Sequence, residues 1–270
     1  MGLMRLFDSH CHLNDPKLGA DLPEVLKAAR AAGLVGMMVV GYDLVSSQFA
    51  ADIAAREGDC WAAVGLHPHD ASDADKALLA QLRELAGQPR VVAIGETGLD
   101  YFRNLSPRPD QRRAFEAFIG MSAELGLPLI VHCREAQEDV LEVLDANRQA
   151  GQTVVMHCFA GGVAFAEECL QRGFYLGLAG TITYPKSFAL KQVAKEAPLE
   201  RLLIETDAPW LPPQAYRGKR NEPAYVALVA EKVAEKRGMT VEEVGEATEA
   251  NAREAFGVDE RGCTPRGDRG

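Results

Sequence analysis

Eight short apolar runs, separated by stretches of helical periodicity, limit the fold of this chain more than any other feature. They lie at 3–8, 34–40, 61–66, 91–95, 128–131, 153–156, 174–178 and 201–205. Each is short, β-branched or Leu-rich, and apolar on both faces, as strands covered on both sides of a parallel sheet are. Between them, Asp21 with Glu24 reads as a helix cap ahead of Leu22, Val25, Leu26 and Ala29, with Gly33 as the stop. Phe115, Phe118, Ile119 and Ser122 form a second stripe before Gly126, and Val140, Leu141 and Leu144 a third. Thr240 with Glu243 opens a last helix. Eight such alternations in 270 residues predict an α/β chain folded as a single-domain (β/α)8 TIM barrel rather than an open doubly wound sheet. No G-x-G-x-x-G follows the first run, which argues against dinucleotide binding. The barrel is expected over 1–258, and the polar, Gly-rich 259–270 reads as a disordered tail.

Polar groups interrupt the runs at one end only. All six histidines stand where a run stops: His10 and His12 after the first, His67 and His69 after the third, His132 after the fifth and His157 after the sixth. Glu96 closes the fourth run, and Glu205 with Asp207 closes the eighth. Barrel enzymes carry their chemistry at the C-terminal strand ends. Residues at i and i+2 of an extended segment share a face, so His10 and His12 can reach one ion with Cys11 turned away.

His10, His12, His132 and His157 with the carboxylates of Glu96 and Asp207 make a ligand set for two divalent cations, Glu96 being able to bridge them. Mixed nitrogen and oxygen ligands suit zinc, manganese or iron, whereas magnesium prefers oxygen; Mg, Mn and Zn are the expected candidates. Paired cations would generate hydroxide near neutral pH and stabilise charge in an in-line displacement. Asp207 is expected to orient the attacking water, and Glu205 to act as a base or to support the ligands. Six donors exceed the four of a closed structural zinc site, which weighs against a non-catalytic, metal-stabilised binding module.

The motifs DSHCHL, GLHPH, GETGLDY, HCREA, HCF and ETDAPWL, in that order, resemble the TatD family of metal-dependent deoxyribonucleases, within the amidohydrolase-like barrels. RGKRNEP and ANAREAFG extend the resemblance to about residues 4–257. It implies a 3′–5′ DNA exonuclease or related phosphodiesterase acting on single-stranded or damaged ends. The family's ligand pattern carries over onto His10, His12, Glu96, His132, His157 and Asp207. The same barrel can instead hydrolyse a carboxylic ester, such as that of a D-aminoacyl-tRNA, and the ligands alone do not separate the two chemistries.

Substrate contacts are expected outside the metal set. His67 and His69 are placed to bind phosphate or position water, His69 alternatively capping a helix near Ser72, and Arg134 shares the face of His132. Tyr216, Arg217, Lys219, Arg220 and Asn221 form a cationic, aromatic loop after the eighth run, suited to a single strand. Tyr184 and Lys186, after the seventh run, lie where barrels often bind phosphate. The formal charge of −10 argues against a broad phosphate-tracking surface without excluding a nuclease. No run of about 18 apolar residues and no basic-then-apolar N-terminus occurs, so a cytoplasmic protein without membrane contact is expected. Six cysteines without a C-x-x-C pair read as reduced packing thiols.

Overall fold

The computed structural model describes residues 4–259 and 262–263. Eight strands form one sheet in the order β1-β2-β3-β4-β5-β6-β7-β8. They are β1 (Leu6–Cys11), β2 (Leu34–Val40), β3 (Cys60–Val64), β4 (Val91–Asp100), β5 (Leu129–Arg134), β6 (Val154–Met156), β7 (Tyr175–Leu178) and β8 (Leu202–Ile204). Helical segments fill every interval, and β3–β4, β4–β5, β5–β6 and β7–β8 pair in parallel. This is the (β/α)8 barrel class that the eight apolar runs predict.

Two compact units share the chain. One holds the residues up to Met38 together with His157–Ala252; the other holds Val39–Met156 and the chain from Arg253. In the first, the end of β1 joins the end of β8: Asp207 N donates to His10 O at 2.9 Å and His12 N to Ala208 O at 2.7 Å. Its core includes Leu6, Phe7, Leu176, Leu178 and Leu203. In the second, β4 is buried along its whole length, covered by Phe115, Phe118 and Ile119 of the helix Arg108–Leu125, which ends at Gly126 with φ +62°.

Local signals hold in places and fail in others. Thr240 and Glu243 form the expected reciprocal cap, Glu243 N donating to Thr240 Oγ1 at 3.1 Å and Thr240 N to Glu243 Oε2 at 2.8 Å. Asp21 does not cap the helix Leu22–Ala31; its carboxylate is taken by Arg220 instead. Val143 rather than Leu141 completes the buried stripe with Val140 and Leu144. No helix begins near Ser72; a 3-10 segment covers Pro68–Asp73, and Asp75 caps the helix Lys76–Leu85. At the expected tail, Asp259 pairs antiparallel with Gly262, and Val258, the last residue of the expected barrel, with Cys263; residues 260–261 and 264–270 lie outside the described residues. Cys11, Cys60, Cys133, Cys158 and Cys169 are free thiols, and among the described residues no helix is long and apolar enough to cross a membrane.

Candidate metal-binding clusters

In the first unit, five predicted residues converge. His10 Nε2 and His12 Nε2 are 3.3 Å apart, and Asp207 Oδ1 lies 3.3 Å from the His12 nitrogen and 3.8 Å from that of His10. Ligands about 2.0–2.2 Å from one ion at a tetrahedral angle stand roughly 3.3–3.6 Å apart, so the two 3.3 Å spacings fit a shared cation and the 3.8 Å one is slightly wider. The His157 ring stacks on His10 with centroids 3.8 Å apart, and its Nδ1 is 3.4 Å from Glu205 Oε1. His10, His157 and Glu205 form a second possible ligand group. Glu205 is wholly buried, accepting from the backbone N–H of Cys158 and from Ser9 Oγ at 3.2 Å. Gly177 makes room for it, since a Cβ there would stand 2.3 Å from Glu205 Oε2.

Asp207 reaches the imidazoles through left-handed backbone, φ +57°, so simple alternation from Glu205 does not describe its placement. Its burial alone would raise its pKa, but the hydrogen bond from His12 and the charges of His157, His12 and His10 hold it below the usual carboxylate range. Asp8 anchors the same strand ends. It accepts from Thr206 Oγ1 at 2.5 Å, Thr206 N at 2.9 Å and His10 N at 3.3 Å. Burial pushes its carboxyl up to about 8, against the pull of the Thr206 hydrogen bonds.

In the second unit, His132 stands between two carboxylates, with Nδ1 2.7 Å from Glu96 Oε1 and Nε2 3.3 Å from Asp100 Oδ2. A neutral imidazole has one N–H and one lone pair. It can donate to one of these carboxylates only, and its other edge then turns a lone pair toward an anion, an arrangement that a cation or a second proton relieves. The donor set therefore fits a metal ion, with His132 and Glu96 as its ligands. His67 Nδ1 accepts from His69 N at 3.1 Å, which leaves the proton of a neutral ring on Nε2, 3.5 Å from Glu96 Oε1. In this arrangement His67 orients Glu96. Burial lowers its pKa to about 4.

His69 caps nothing with its ring: its Nε2 lies 2.9 Å from Asp100 Oδ2. Asp100, which the sequence reading did not single out, joins this cluster through His132 and His69. Burial favours a higher pKa for it, but hydrogen bonds from His132, Arg103 N and His69 hold it low. Glu96 does not close β4 as expected, because the strand runs on to Asp100, and Glu96, Gly98 and Asp100 share a face. That period-two spacing was the available signal. Gly98, at φ +140°, allows β5 to come close: a Cβ would stand 2.1 Å from His132 O. Cys133 is a packing thiol, its pKa pushed up to about 12 by burial.

The expected cationic loop divides. Arg220 is held by both oxygens of Asp21 at 2.8 Å, by Glu222 Oε1 at 2.7 Å and by Lys17 O at 2.7 Å. Asn221 is fully buried and donates to Thr206 O and Trp210 O. These contacts brace the loop. Arg217 and Lys219 are exposed, over the rings of Tyr184 (4.5 Å) and Tyr216 (5.7 Å), and Tyr216 stacks on Tyr225 at 4.0 Å. Arg134 is exposed over Phe102, 4.0 Å from the ring centroid.

Known proteins of the same arrangement supply a family. The model for TatD related DNase matches residues 7–257. YabD of Bacillus subtilis, an uncharacterized metal-dependent hydrolase, is 42% identical over 94% of this chain and 99% of its own length. The 3′-5′ ssDNA/RNA exonuclease TatD of Klebsiella pneumoniae is 38% identical over 95% of this chain and 100% of its own length. The crystal structure of YJJV, a TatD homolog from Escherichia coli, superposes with a TM-score of 0.90 at 29% identity, covering 96% of this chain and 100% of that one. A family match over nearly the whole chain, carried by relatives of equal length, leaves one assignment: the chain belongs to the TatD-related DNase family of metal-dependent hydrolases.

Proposed function

We propose that this enzyme hydrolyses phosphodiester bonds of single-stranded DNA, releasing nucleotides from the 3′ end, with two divalent cations. The observation that carries the reading is His132 flanked by the carboxylates of Glu96 and Asp100 in one unit, matched by the His10–His12–Asp207 cluster in the other. The 3′-5′ exonuclease names of relatives at 38–39% identity support the substrate class. Of the candidate ions, manganese and zinc suit the imidazole-rich donors best.

Divalent cations held there would neutralise phosphoryl charge and lower the pKa of water. Asp207, kept ionised by the surrounding imidazoles, accepts a proton from the attacking water. Glu205 fixes His157 in place, and His67 and Asp100 hold Glu96 and His132 in the orientation that a ligand needs. Arg217 and Lys219, held over the rings of Tyr184 and Tyr216, meet the phosphates of the strand.

One sample, loaded with manganese, tests this against the carboxylic-ester alternative. Single-stranded DNA and aminoacyl-tRNA are offered separately, with Asp207→Ala as control. The proposal expects turnover of the DNA alone, lost in the variant. Deacylation without DNA cleavage would assign the ester chemistry, and no turnover of either would favour a binding module.

A further inference from the structure

The segment between β4 and the helix Arg108–Leu125 places apolar surface in solvent beside the second cluster. Phe102 is 55% exposed and Leu105 64%, whereas Phe7, Phe115 and Phe118 show none of their surface. Apolar side chains exposed together, as Phe102 and Leu105 are, point to a binding surface more than a single exposed one does. Here one partner is already present, the Arg134 guanidinium 4.0 Å from the ring centroid. Arg134 is itself exposed, ends β5, and stands two residues beyond His132.

The platform is held firmly. Asp100, whose Oδ2 touches His132 and His69, uses Oδ1 to accept from Arg103 N at 2.7 Å. Tyr101 N donates to Arg134 O at 2.9 Å, Tyr101 Oη to Asp139 Oδ2 at 2.6 Å, and Arg108 lies over the Tyr101 ring at 3.9 Å. Both residues flanking Phe102 are thus tied down, and one tie is the carboxylate that contacts His132. Phe102 keeps its exposure on a fixed backbone, which is the condition for a preorganised contact.

We propose that Phe102 and Arg134 form a nucleobase-stacking subsite that positions a nucleotide of the single strand beside the cluster of His132. A base stacks on the aromatic face, and the guanidinium adds cation–π and phosphate contacts. Such contacts tolerate any sequence because every base has a π-face. The inference rests on the nuclease reading and names how the strand is held.

The experiment compares a labelled thymidine oligomer with the same backbone lacking its bases, for binding by anisotropy and for cleavage. It uses the manganese-loaded native enzyme, Phe102→Ala and Phe102→Trp, with melting curves to verify folding. Phe102→Ala is expected to weaken binding of the thymidine strand by about 5- to 150-fold, the range for one stacked base. The penalty on the base-free strand should be at least fivefold smaller, and Phe102→Trp should restore binding. Arg134→Lys keeps the charge but not the planar face, and should give an intermediate loss. Equal penalties on both strands, or none, would overturn the subsite, as would concentration-dependent self-association that Phe102→Ala abolishes. Base-dependent binding without cleavage by the native enzyme would support the subsite while overturning the nuclease reading.

Discussion

Gln111→Met offers a test of how the second cluster is held. Gln111 is fully buried in the helix Arg108–Leu125, and its amide braces the end of β4. Its Oε1 accepts from Asp100 N at 2.8 Å, while Nε2 donates to Asp100 O at 3.2 Å and to Ser106 O at 2.8 Å. Methionine keeps the length and most of the volume but makes none of these bonds. Each typical bond contributes about 1 kcal/mol net, and more when the abandoned partner stays dry, so the loss should be about 3 kcal/mol. At about 2–4 °C per kcal/mol for a chain of this size, the melting midpoint should fall by roughly 6–12 °C. Urea unfolding followed by circular dichroism reads the stability, and manganese titration reads the looser hold on Asp100 and His132. Gln81→Met is the control: Gln81 is exposed with one long bond, 3.4 Å, to Ala77 O, and should cost less than about 0.5 kcal/mol. If Gln111→Met were no more harmful than this control, the bracing argument would be refuted.

Three further outcomes follow from the same geometry. Gly98→Ala should destabilise by about 3 kcal/mol or more and lower metal content, because its Cβ meets His132 O at 2.1 Å on backbone at φ +140°; an unchanged urea midpoint would count against it. Manganese at a hundred times its Kd should stabilise the native enzyme by about 2.7 kcal/mol, His10→Ala and His132→Ala should each lose metal by elemental analysis, and equal content in all three would sink the ligand assignment. Replacing Arg217 and Lys219 by Ala should weaken single-strand binding and flatten its salt dependence by about 0.7 log unit per phosphate contact, while Arg220→Ala should chiefly lower the melting midpoint; the reverse pattern would restore Arg220 as a substrate contact.

The architecture was legible because strands buried on both faces must be apolar runs, and all eight appear where the runs stand. The same criterion hid Asp100. The apolar run stops at Gly95, yet β4 continues through Glu96, Thr97 and Asp100 as a wholly buried segment, the carboxylates of Glu96 and Asp100 turned to histidines instead of solvent. His10, His12 and Asp207 could be grouped from their strand-end positions, but the left-handed turn at Asp207 has no local sequence mark. Arg220 read as part of a substrate-contacting loop and Asp21 as a helix cap, because their pairing spans 199 positions. Only the contact of Arg220 with Glu222 lies within a local window.

Metal-dependent removal of nucleotides from a 3′ end is read by following two copies of one single-stranded oligonucleotide with manganese, one labelled at the 3′ terminus and one at the 5′ terminus. Immediate release of the 3′ label as a mononucleotide, stepwise shortening of the 5′-labelled strand, and arrest of both on adding EDTA are expected. Internal cuts from the outset, or cleavage that persists in EDTA, would contradict it.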